Sequence, residues 1–124
     1  MENAFESVVQ QSYFNPEEFA AITQDYPIIK CRKRAVEDFK VKYMNPDNFN
    51  KQLSVESSES FVEIKTKTLK IDYKDSSYIR FKIIAPETVA FYECFIIIRD
   101  LRSNKVEELM KLSIEVLGEG EELE

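Results

Sequence analysis

Between residues 62 and 98 the chain alternates apolar and polar side chains, and this period limits its fold more than any other feature. Val62, Ile64 and Thr66 share one face of an extended segment, while Glu63, Lys65 and Lys67 share the other. Successive side chains of a strand point to opposite faces, so this pattern predicts a sheet with one covered side. Past Thr68 the phase flips, and Leu69, Ile71 and Tyr73 become the apolar set. A bulge within one strand would produce that shift, and so would a turn at 65–68. "KDSS" at 74–77 reads as a hairpin turn into Ile79, Phe81 and Ile83, which alternate with Arg80 and Lys82. "APE" at 85–87 turns again into "TVAFYECFIIIR", apolar on both faces and therefore expected as the covered central strand.

Helices are expected on both sides of this meander. Phe5, Val8 and Val9 are spaced for a short amphipathic helix over 2–11. Asn15-Pro16-Glu17-Glu18 is a helix start, with Asn as N-cap, Pro at N1 and acids at the positive end of the dipole. That helix should stop near Asp25, because Pro27 drives Tyr26 out of the helical region. Ile28, Cys31, Ala35 and Phe39 then share a helical face, whereas Phe39, Val41 and Tyr43 alternate as in a strand. This segment reads as a helix to about Asp38 followed by an extended piece. Asn45-Pro46 repeats the start signal and should open a helix through about Leu53, with "SVESSES" at 54–60 as a polar connection. Val106, Leu109, Met110, Ser113, Val116 and Leu117 lie on one helical face behind the capping-box residues Asn104 and Glu107, and Gly118 is the stop. Leu112, Ile114 and Val116 also alternate, so a strand is the alternative there.

The expected architecture is α+β: N-terminal helices, a three-stranded antiparallel meander, and a C-terminal helix packed on the sheet. It forms a single domain over 1–118, with a helical half at 1–53 and a β half at 61–118. Residues 119–124 are expected as a mobile acidic tail.

"YFNPEEF" at 13–19 and "YMNPDNF" at 43–49 are the same device used twice. With the asparagines as N-caps, Phe14 and Met44 fall at N′, and Phe19 and Phe49 at N4, the two positions of a hydrophobic staple. The likeness ends within one helical turn, since Ile22 aligns with Gln52, so a duplicated unit is not indicated. An NPxY-type peptide signal places its aromatic three residues after Asn rather than four.

Chemistry is limited by what the chain lacks. With no His, neither an imidazole-based triad nor an imidazole metal ligand is available. Cys31 and Cys94 are too far apart in sequence for a zinc framework, and read as buried thiols in a reducing cytosol. Two glycines cannot build a phosphate loop. No cofactor, metal site or catalytic residue is therefore expected. A carboxylate-only enzyme stays open in principle, but no spacing selects a pair of acids. Glu93, inside the apolar strand, is either a desolvated acid or a partner for a neighbouring lysine. The acidic, unsegmented N-terminus shows no export pattern, and no run is long enough to span a bilayer, so a cytoplasmic location is expected.

The formal net charge is −6, yet residues 30–42 and 61–86 are each richer in bases than in acids. Lys30, Arg32, Lys33 and Arg34, with Lys65, Lys67, Arg80 and Lys82, are the candidate contacts to a partner. The leading expectation is a non-catalytic protein that binds another protein or itself, as adaptor, inhibitor or small assembly subunit. The alternative is a nucleic-acid binder that sets these eight side chains on phosphates.

Overall fold

The computed structural model describes residues 15–118. The helix expected at 2–11 and the tail at 119–124 lie outside this range. After a 3-10 helix, Pro16–Ile22, the described residues form nine strands: β1 Thr23–Asp25, β2 Ile29–Arg32, β3 Val36–Met44, β4 Lys51–Ser57, β5 Val62–Ile64, β6 Thr68–Ile71, β7 Ser76–Ile84, β8 Ala90–Asp100 and β9 Val106–Leu117. They pack as two sheets. The larger runs β1-β9-β8-β4-β6, with β2 also on β9, and the smaller runs β3-β7-β5. β1 and β2 pair parallel to β9, while β8 with β9, and β4 with both β6 and β8, pair antiparallel.

The α+β expectation is therefore wrong: the chain is a β-sandwich. The C-terminal segment is β9 and not a helix, and its side chains show why it misled. Met110, Leu112, Ile114 and Val116 fill the core between the sheets, as strand alternation requires. Val106 and Leu109 belong to a second buried cluster with Ile97, against which Phe19, Ile22 and Phe95 pack. Two covered faces superimpose two apolar sets, and together with a bulge at Glu107 they imitate helical spacing.

Segment 28–38 is likewise β2, a turn and the start of β3. The turn at Lys33-Arg34 puts Arg34 at φ 64, a left-handed conformation that bulky residues seldom take. Lys74 and Asn104, at φ 59 and 62, do the same in two other turns. None of the three is the glycine that would have marked the turn. Residues 45–50 form a turn rather than a helix, and Ser54–Ser57 belong to β4, so the expected boundary at 54–60 falls partly inside a strand.

No three-stranded meander forms either. β5 pairs with β7, but β6 pairs with β4 in the other sheet. The phase flip at 65–68 is thus a crossing between sheets: Val62 and Ile64 reach the core from one side, Ile71 from the other. "KDSS" carries the chain back to β7 in the smaller sheet. β8 is central, as its apolar run implied, but both faces are covered only over its second half, with Cys94, Ile96 and Ile98 inside and Ile97 beneath the 3-10 helix, while Phe91 and Glu93 are exposed. Cys31 and Cys94 are buried, unpaired thiols.

Candidate functional site at the Asn45 pole

Where β3 gives way to β4, the chain turns through Asn45-Pro46-Asp47, and Asn45 is wholly buried. Its Oδ1 accepts the Asp47 N–H at 3.0 Å. Its Nδ2 donates to the Phe49 carbonyl at 2.9 Å and to the Asp72 carbonyl at 3.1 Å. Its own N–H donates to the Asp75 carbonyl at 2.9 Å. One amide therefore ties the 45–50 turn to the 72–75 turn. Only a side chain with both an acceptor and two donors can do this, and a carboxylate in its place would repel the carbonyls. Further bonds brace the two turns: the Tyr73 N–H donates to Asn50 Oδ1 at 2.9 Å, and Lys74 Nζ to the Pro46 carbonyl at 3.2 Å.

Below the turns, Lys51 opens β4 with its side chain buried. It pairs with Asp47 and, at 2.6 Å, with Glu107. Glu107 is the extra residue of a β-bulge, since Ile98 stands opposite Glu108 and Arg99 opposite Val106. Burial works to lower the Lys51 pKa, but the hydrogen bonds it donates to the Asp47 and Glu107 carboxylates outweigh it and the net shift is upward. Glu108, on the strand face that carries Met110 and Leu112, is pushed by burial up to about 7. Tyr43 is pushed to about 12, mainly by burial, with Lys51 opposing and Glu108, Glu107 and Asp47 assisting. Tyr26 is raised by burial and by Glu108. Chemically the pole is a fixed ion-pair network beside a carboxyl that titrates near neutrality.

Above this network, Phe49 and Tyr73 stand 54% and 61% exposed. Each sits on one of the two braced turns, so neither is a loose side chain on a mobile loop. Among the described residues no group of three or more Cys, Asp or Glu is placed to hold a metal.

The eight basic residues chosen from the sequence do not gather at this pole or form one group: Lys65, Arg80 and Lys82 are neighbours at the smaller sheet, where Arg80 also stands opposite Lys40, and the other five lie elsewhere. Lys30 and Arg32 lie on β2 at the edge of the larger sheet, with Lys33 and Arg34 in the turn that follows. Arg32 Nη1 donates to the Gly118 carbonyl at 3.2 Å. Lys65 and Lys67 lie in the link between sheets, with Lys65 3.6 Å from Glu63. Arg80 and Lys82 are on the outer face of β7, where Lys82 is flanked by Asp38 and Glu63. A phosphate backbone needs a continuous positive track, and the nucleic-acid reading finds no support. Glu93 is paired with Lys111 at 3.2 Å on the outer face of the larger sheet. Sequence reading singled out Asn45 and Glu107 for the wrong job, as helix-capping residues, and passed over Lys51 and Glu108. The alternation Lys51, Leu53, Val55 was the available sign that Lys51 points inward.

Two mainly antiparallel sheets packed face to face, with the connections crossing between them, define an immunoglobulin-like β-sandwich fold. Among solved structures the chain is similar to SSP-19, an MSP-domain protein like family member from Caenorhabditis elegans. That match is 9% identical with a TM-score of 0.52, over 73% of this chain and 94% of that one. The ASH/PapD-like domain 7 of human CEP192 is 7% identical with a TM-score of 0.54, over 78% and 82%. A family 123 glycoside hydrolase from Clostridium perfringens is 11% identical with a TM-score of 0.59, over 85% of this chain but 26% of that one. At these identities the likeness is one of fold. No protein-family model and no curated protein sequence matches the chain.

Proposed function

We propose that this sandwich is a non-catalytic binding module whose recognition surface is the Asn45 pole, and that its partner is another protein. The observation that carries this reading is the pairing of Phe49 and Tyr73, two exposed aromatics held on turns that a buried amide locks together. Aromatic side chains dominate the energetics of protein interfaces, and a rigid loop loses little entropy when it binds. Loops on a stable scaffold are also where binding residues concentrate. The two unpaired, buried thiols suit a reducing compartment such as the cytoplasm.

The test is affinity capture with cross-linking from the native lysate, comparing the wild type with the Phe49→Ser/Tyr73→Ser double variant. Both positions are exposed, so the fold should survive the change. The expected result is a retained protein cross-linked near residues 46–50 and 72–75 and lost from the double variant. Equal capture by both proteins, or cross-links confined to another surface, would overturn the pole as the recognition site.

A further inference from the structure

β3 is an edge strand of the smaller sheet, and among the described residues no strand pairs with its outer side. Its ladder with β7 fixes which backbone groups are open. The Ala85 N–H donates to the Ala35 carbonyl, and the Asn45 N–H to the Asp75 carbonyl. In an antiparallel pair the bonded positions alternate, so the odd-numbered residues of β3 bond β7. Val36, Asp38, Lys40, Lys42 and Met44 turn their N–H and C=O groups outward. The side chains of these same five residues lie on the exposed outer face, with Val36 at 59% and Met44 at 58% exposure.

We propose that β3 pairs antiparallel with β3 of a second copy of this chain, in a register centred on Lys40, joining two three-stranded sheets into one of six. In that register every outward-turned residue meets another outward-turned residue, as a hydrogen-bonded ladder requires. Val36 then stands opposite the partner's Met44, Asp38 opposite the partner's Lys42, and Phe39 opposite the partner's Val41. The two-fold symmetry repeats each pair, so both exposed apolar ends are covered and both acids meet bases. A slip of two residues in one direction sets Lys40 against the partner's Lys42. In the other, Asp38 still meets a base, the partner's Lys40, but Val36 faces the partner's Lys42 and Met44 falls beyond the end of the partner's β3, so the apolar ends are left uncovered. The one like-charge contact in the favoured register is Lys40 with its own copy. Lys40 Nζ lies 4.4 Å from the centroid of the Tyr78 ring on β7, which draws its charge back from the open edge.

The edge also has an apolar flank. A cleft of about 350 Å³ between the sheets is lined by Tyr26, Ile28, Phe39, Val41 and Leu112 among others, and Ile28 is 54% exposed. A second copy laid along β3 would cover it. The neighbouring edge of the larger sheet is unsuited to strand addition, because Pro27 interrupts it between β1 and β2. Lysines commonly guard an open edge, but here Lys42 has an acid to meet on the second copy.

Light scattering across a concentration series should give a mass approaching twice that of the chain. Asp38→Lys and Lys42→Asp should each weaken the dimer by about tenfold or more. Mixing the two variants should restore association as a heterodimer, because each variant then meets the opposite charge at both pairs. Hydrogen exchange on the wild type gives a readout that needs no variant: the Asp38, Lys40 and Lys42 amides should slow as concentration rises. A mass that stays monomeric at every concentration overturns the proposal. So does a dimer insensitive to both variants, or a pair of weakened variants that fail to recover on mixing. The contact ends at Met44 and uses neither Phe49 nor Tyr73, so the Phe49→Ser/Tyr73→Ser variant should still dimerise, and failure of either proposal leaves the other standing.

Discussion

Asn15 and Asn45 each precede a proline, and each accepts the N–H two residues further on. Asn15 is exposed and starts a 3-10 helix laid on the outside of the larger sheet. Asn45 is fully buried and joins two turns at the end of the sandwich. The acceptor half of the amide does the same work in both places. What differs is the donor half, which in Asn45 finds carbonyls on a segment twenty-seven residues away. Local sequence determines the first bond, and the tertiary surroundings determine whether the residue is a cap or a tie.

That contrast can be broken experimentally. Asn45→Ala should cost about 3 kcal/mol in a urea or guanidinium titration, because it leaves an amide N–H and at least two carbonyls without their partner. If it costs no more than Asn15→Ala, the distinction collapses. Lys51→Met should cost about 2 kcal/mol, below the usual range for breaking a buried pair because Asp47 and Glu107 keep some solvent. A variant as stable as wild type would mean that the network beneath the pole carries no structural weight.

Glu108 sharpens the comparison through pH. Its folded pKa, about 7, is raised from 4.5, so the native state binds the proton more tightly than the unfolded one. Its contribution is complete below about 4.5 and is lost as pH rises toward 7, so stability falls across that window. Glu108→Gln should flatten this slope, and a melting series between pH 4 and 8 would show it. An unchanged slope would assign the effect to another group. Smallest of all, Asn15→Ala should cost less than about 1 kcal/mol, the ordinary value of an exposed cap.

Much of the sheet was legible and the class of fold was not. The alternation of Ile79, Phe81 and Ile83 and the doubly apolar run of β8 gave true strands. The N-terminal start signal gave a helical element in its place, though a short one of 3-10 type. The failures share a physical cause. Gly-poor turns at Arg34, Lys74 and Asn104 hide chain reversals that a glycine would have announced. In β9 the 3-10 helix covers a second face, so Leu109 joins an apolar pattern that a one-sided strand would not carry. The crossing from β5 to β6 leaves the same phase shift as a bulge, and nothing local separates the two. At the pole, Asn45 was visible as a special residue, but beside its local partners at 47 and 49 it bonds residues 72 and 75. The Lys51–Glu107 pair spans fifty-six positions, a distance no short pattern encodes.

The parallel pairing of Thr23 with Leu109 and of Ile29 with Ile114 has a consequence in time. The first strands of the sandwich find their neighbours only in its last strand, so the larger sheet cannot close until nearly all the described chain exists. On a ribosome, β8 would emerge with Ile96, Ile97 and Ile98 awaiting a strand that has yet to be made. Contacts so distant in sequence also slow the search for the native state, toward the millisecond-to-second folding typical of β-sandwiches. The stretch between the synthesis of β8 and that of β9 is when this chain has most need of a chaperone's protection.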